Sequence, residues 1–284
     1  MTKFIFLFVF YTSTLAGQIL VLPASHFRSK TTTRFTFELA NTPEQRTWGL
    51  MGRKELHPNH GMLFSYPSSN ILSFWSFNCY IPLSVAFLDE EKIIRDLQDL
   101  EAYPEKMDKE RPVYSFEDLS QYPSYDPILR FFQSKSIRSS LPAKYALEMN
   151  LHWFQSNDIK KGDVVSWKPY STHGEIIHTL DLSALHPTDE NMFLIKFAIP
   201  EPAALSIPKS TLPMEAVIFD SDDSILSKIE MSASASLPKL EKPVYYIEGL
   251  VKKIAILPLG WVEKNSIEAL RLKIDKAVEK EIFP

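Results

Sequence analysis

Cysteine is nearly absent from this chain of 284 residues: Cys79 stands alone, so no intramolecular disulfide forms and the fold must rest on its core. Cys79 sits in an apolar, strand-like stretch, where a small buried residue explains it better than a reactive thiol. Glycine is scarce too, with only eight, so each marks a place where the backbone has a special requirement. An excess of positive charge is also missing. The 31 Lys and Arg residues are mixed with 35 Asp and Glu, giving a net charge of −4, and no basic stripe exists to hold a phosphate backbone. Nucleic acid is therefore not an expected partner. There is no GxSxG elbow, HExxH pair, Cys-His motif or dinucleotide fingerprint, which removes the commonest hydrolase, metalloprotease and nucleotide-cofactor readings. No cofactor and no metal site is implied.

Charge is absent altogether from Phe4 to Ser25. Lys3, the apolar run Phe4 to Tyr11 and the small residues around Ala16 read as a secretory signal peptide over residues 1–17. The alternative is membrane attachment by an uncleaved anchor over 4–25, since about 20 apolar residues span a bilayer. Arg28, Lys30 and Arg34 follow the run, against the usual placement of positive charge on the cytoplasmic side. The expectation is a periplasmic or secreted protein.

What is present is a 45% hydrophobic, 23% charged composition typical of globular chains, long enough for two domains. Arg34 to Ala40 alternates polar and apolar residues as a half-buried strand does. Thr42-Pro43-Glu44-Gln45 has the form of a capping box, opening a short helix through Met51. Ile81 to Asp89, the turn Asp89 to Lys92 and the returning Ile93-Ile94 read as a hairpin. Gly49, Gly52 and Gly61 are expected to shape a helix end and a turn. The polar, turn-rich stretch from Ser115 to Pro142 reads as a surface loop with one helical turn, and as a candidate lid.

Five segments occur in one order: Gly49-Leu50-Met51-Gly52-Arg53, Gly61-Met62-Leu63-Phe64, Phe74-Trp75-Ser76-Phe77-Asn78-Cys79-Tyr80-Ile81-Pro82-Leu83, Ala146 to Phe154, and Gly162-Asp163. Together they resemble the family known only as domain of unknown function 192, whose pattern runs approximately GLMxR, GMLF, FWMKNTxIPLD, ALExNxGWF and GD. The resemblance covers about Phe35 to Val165. It implies a compact, mainly β domain, a β-sandwich or half-open barrel with short helices, often exported. The chain departs from the pattern at Phe77, Cys79 and Ser84, where relatives have Lys, Thr and Asp. If that lysine and carboxylate serve as acid and base, this chain has lost both.

The second half echoes the first. Phe197 to Pro200 echoes Phe64 to Pro67, Leu212 to Asp220 echoes Ile81 to Asp89, and Lys253 to Trp261 echoes Lys144 to Trp153, with Leu257 falling where the first copy has Glu148. An internal duplication into two tandem modules is expected, the first over 26–170 and a degenerate second over 171–284.

The candidate ligand-binding residues are Arg53, Trp75, Asn78 and Glu148, lining a pocket between the copies. Arg53 and Glu148 could serve a ligand or lock each other in an ion pair. Trp75 and Asn78 could equally be a core aromatic and a turn-forming amide. His57 and His60 read as exposed histidines rather than metal ligands. The leading expectation is a non-catalytic binding or structural module of the cell envelope, whose partner is an unidentified small ligand or envelope protein. The alternative is a hydrolase-like enzyme using Glu148 with His152 or Arg53.

Overall fold

The computed structural model describes residues 18–188, 191–206, 213–232 and 244–282. The expected signal peptide lies outside them. Strands are numbered β1 to β15 and α-helices α1 to α5 along the chain. The fold is mainly β, with one sheet curled into a half-barrel and short helices packed around it.

The first sheet has seven strands, β2 (Thr32–Ala40), β3 (His60–Asn70), β5 (Leu83–Leu88), β6 (Ile94–Leu100), β8 (Ala143–Asn150), β9 (Val164–Trp167) and β10 (His173–Ile177), in the order β6-β5-β8-β3-β2-β10-β9. Its interior strand β5 is buried at every position, as a strand covered on both faces must be. One face carries Phe37, Leu63, Ala86, Leu147 and Trp153; the other carries Met62, Phe64, Val85, Phe87 and Ala146. Gly61 makes the β3–β8 approach possible, since a Cβ there would lie 2.2 Å from the Glu148 carbonyl oxygen. The sheet takes in β10, beyond the boundary expected at residue 170.

The second sheet has β1 (Gln18–Pro23), β12 (Asn191–Ser206), β13 (Met214–Phe219), β14 (Ile225–Met231) and β15 (Val244–Pro258) in the order β1-β12-β15-β13-β14, with β11 (Thr179–Asp181) also on β12. This order repeats β2-β3-β8-β5-β6 of the first sheet, and in each the first pair is parallel and the rest antiparallel. The strand matching β2 is β1, at the other end of the chain, so the first unit lies between the second sheet's first strand and its remainder. Both hairpins turn on an aspartate, Asp89 or Asp220, and hold Lys92 or Asp223 in the left-handed conformation. These registers set Val85 opposite Glu148 and Ala216 opposite Ile256. Ile256, and not the expected Leu257, therefore stands where the first sheet has Glu148.

The capping box forms as expected at α1 (Pro43–Trp48): Gln45 N–H donates to the Thr42 hydroxyl, and Thr42 N–H to Gln45 Oε1. Short helices α3 (Trp153–Ser156) and α4 (Trp261–Asn265) follow β8 and β15, and α5 (Ile267–Ile282) packs Leu270 and Ile274 over the second sheet. The segment after β6 is more ordered than a surface loop. Two 3-10 turns and α2 (Pro127–Ser134) build a small core of Val113, Tyr122, Leu129 and Phe132 against Met51 and Phe77. Its end joins the short pair β4 (Ser73–Phe74) and β7 (Ile137–Arg138).

The units meet at a buried network. Arg28 donates to both Asp163 carboxylate oxygens at 3.2 and 3.1 Å and reaches His178 Nδ1 at 2.7 Å. His178 Nδ1 also lies 3.4 Å from Asp163, and Nε2 is 2.8 Å from the Thr33 hydroxyl. Asp163, from the Gly-Asp motif, also accepts from Thr179 N–H and Lys160 N–H. Its role is to pin the junction.

Candidate functional site

Four motif segments converge on one cleft of about 60 Å³ on the face of the first sheet that carries Phe64 and Phe87. Helix α1 ends at Gly49, whose φ of 52° turns the chain and whose missing side chain leaves the Phe64 ring open, 3.4 Å from where a Cβ would stand. Strand β3 brings Phe64 and Tyr66, the segment after β4 brings Trp75 and Cys79, and β8 brings Glu148.

Glu148 is the unusual group. Its side chain is 96% buried, at 4% exposure, with no hydrogen bond or ion pair among the described residues. Burial alone raises its pKa to about 8, so the carboxyl is largely protonated at neutral pH. The ionisable neighbours lining the cleft are Arg46, Tyr66 and Cys79. Arg46 is committed elsewhere: one nitrogen donates to the Asn41 and Ser65 carbonyls at 2.7 and 2.9 Å, and the guanidinium lies 4.9 Å over the Tyr66 ring. Burial, then the nearby Glu148, pushes the Cys79 thiol up, so it is a protonated packing group and not a nucleophile.

The other candidates separate. Arg53 is not paired with Glu148; it binds Glu38 at 2.7 Å on the half-exposed surface, where His60 Nε2 also reaches Glu38 at 3.3 Å. Both charges keep their hydration there, which an inward pairing would have removed. Asn78 is buried in the left-handed conformation, with its side-chain amide donating to Val113 and its carbonyl accepting from Gly52 N–H. It ties the glycine turn to the segment after β6, which is the turn-forming role. Of the four expected residues the cleft therefore unites Trp75 and Glu148, and it lies within the first unit rather than between the two.

His152 belongs to a different, open cleft of about 350 Å³ that also contains Ser84 and Asp99. The trio is not a nucleophilic triad. Ser84 O–H donates to Asp99 at 2.5 Å, Ser84 Oγ accepts from the His152 backbone N–H, and the imidazole faces Asp99 at 3.4 Å. A base positioned to take the serine proton is what a triad needs, and here the carboxylate occupies that place.

Sequence reading missed Arg46 and Tyr66. Their signals were local, a helix one turn long and a strand residue past the Gly-Met-Leu-Phe motif, but their convergence depends on the parallel pairing of β2 with β3.

The family model for domain of unknown function 192, described as an uncharacterized ACR, matches residues 25–167. The chain belongs to this family. Two solved structures are similar: a candidate transcription regulator from Sinorhizobium meliloti 1021, 28% identical over 48% of this chain and 84% of that one with a TM-score of 0.36, and a protein of unknown function from Novosphingobium aromaticivorans DSM 12444, 26% identical over 47% and 75% with a TM-score of 0.35. No curated protein matches significantly.

Proposed function

We propose that this member of the family is a non-catalytic binding module of the cell envelope, with its ligand site in the cleft of the first unit. The carrying observation is Glu148, a buried carboxyl without a protein partner facing a cleft lined by Trp75 and Tyr66. Its oxygens open onto the cleft, where water or a ligand supplies the hydrogen bonds that the protein does not. The hydrolase reading has less support: a raised carboxyl pKa suits a general acid, but His152 and Arg53 are held by Asp99 and Glu38.

The charge-free stretch from Phe4 to Ser25 supports export. Among the described residues, no helix is long and apolar enough to cross a membrane. The repeated strand order and hairpins support an internal duplication in which the second copy kept only its framework.

A ligand-observed NMR screen of small molecules on the full chain tests the binding reading. Hits should lose binding in both Trp75→Leu and Glu148→Gln; an absence of hits, or hits indifferent to both changes, rejects it. Mass spectrometry of the N-terminus in cell fractions tests export.

A further inference from the structure

We infer that the cleft accepts a small organic cation, such as the primary ammonium end of an amine. This rests on the binding reading above and names the ligand's class.

Glu148 lies on the wall of a cleft whose other walls include Trp48, Phe64, Tyr66, Phe74 and Trp75. Aromatic rings attract cations through their negative faces, and a carboxylate freed of its proton supplies the counter-charge. Among the described residues, no cation forms an ion pair with that carboxylate. Arg46, the nearest candidate, donates to two backbone carbonyls and stacks on Tyr66, with no ion pair to Glu148. One Arg46 nitrogen is taken by the two carbonyls, and once Glu148 ionises an anionic ligand would place a second negative charge beside it. A volume near 60 Å³ admits only a small head group, since about 150 Å³ is needed for a benzene-sized guest.

Proton balance fixes the signature. Below the folded-state pKa of Glu148, a cation enters as the carboxyl gives its proton to water, leaving a carboxylate–ammonium pair. The other titratable groups facing the carboxyl are Tyr66 from β3 and Cys79 from the segment before β5. Both have their pKa raised by burial, so they stay protonated through this range; the one charged neighbour is Arg46 from α1. An alkylammonium also keeps its charge to about pH 10.

The test is an NMR titration of the full chain, following the tryptophan indole N–H signals, with methylammonium, acetamide and acetate at pH 6, 7, 8 and 9. Methylammonium should bind with an affinity that rises about tenfold per pH unit from 6 to 8 and then flattens. Glu148→Gln, which keeps the size of the protonated carboxyl, should abolish the pH dependence and weaken binding at pH 9 at least tenfold. Trp75→Leu should weaken it at every pH. Preferential binding of acetate or acetamide overturns the cation class while leaving the binding site intact. Failure of methylammonium to bind, or binding indifferent to Glu148→Gln, also overturns it, and the separate screen then decides the binding reading.

Discussion

The two sheets share a frame and differ in what is built on it. Each has a fully buried interior strand, β5 or β13, an aspartate-centred hairpin and a strand followed by a turn whose left-handed residue, His152 or Gly260, precedes a tryptophan, Trp153 or Trp261. In each short helix an asparagine side chain, Asn157 or Asn265, donates back to that tryptophan's carbonyl. The first unit adds α1 with its glycine turn, the segment from Ser73 to Cys79 and the ordered stretch around α2. Among the described residues, the second has a single 3-10 turn after β1 where the first has α1, and Ile256 in place of Glu148. Packing is thus common to both sheets, whereas the cleft with its buried carboxyl is built by segments of the first.

The largest test of that common frame is removal of each tryptophan. Trp153 and Trp261 are 5% and 4% exposed, and Trp→Ala at such sites costs about 3–5 kcal/mol. Trp153 should cost about 1 kcal/mol more, because its indole N–H also donates to Asn59 at 3.0 Å. Denaturant unfolding of the two variants checks this. A nearly neutral Trp261→Ala would break the comparison, leaving the second turn a resemblance of shape without matching energetics.

Glu148 against Ile256 gives the next effect, this time as a function of pH. The folded-state pKa of about 8 lies above the ordinary glutamate value of 4.5, so between them the folded state holds a proton that the unfolded chain has released. Stability contributed by this site is present at low pH and is lost as pH rises, by a little over 1 kcal/mol per unit, levelling above about 8. Glu148→Gln removes the slope. Chemical denaturation at pH 5, 6, 7 and 8 should therefore show the variant gaining on the parent protein by about 3–4 kcal/mol in total; parallel curves would mean that water or a rearrangement already solvates the carboxyl.

Features governed by neighbours in sequence were legible before the structure: the capping box at Thr42, the hairpin at Asp89 and the mainly β class. The family motifs also pointed to Trp75 and Glu148. What stayed hidden depended on pairing between distant segments. Nothing local in Gln18 to Pro23 says that it lies parallel to Asn191–Lys196, 173 residues away, and no motif says that Glu38 rather than Glu148 takes Arg53. An ion pair is chosen by sheet register and hydration, which spacing along the chain does not encode.

The smallest expected effect decides what the lost family aspartate was for. Ser84 holds its place, and in the second sheet the matching residue is Glu215, a carboxylate. Glu215 accepts from Val262 N–H at 2.7 Å and Gly260 N–H at 3.3 Å, while Ser84 accepts from His152 N–H at 2.8 Å. Both side chains cap the turn into the tryptophan helix, so a carboxylate at this position has a structural duty that requires no proton transfer. Ser84→Ala should cost about 1 kcal/mol, as for a lost cap. Glu215→Ala should cost about 2–3 kcal/mol, because two charge-assisted bonds go and Lys228, 3.3 Å away, loses its buried partner. Ser84→Asp alone should destabilise, since it sets a carboxylate against Asp99, which Ser84 now contacts at 2.5 Å. Adding Asp99→Asn should recover the loss in thermal denaturation, and failure of that recovery would separate the duties of Ser84 and Glu215.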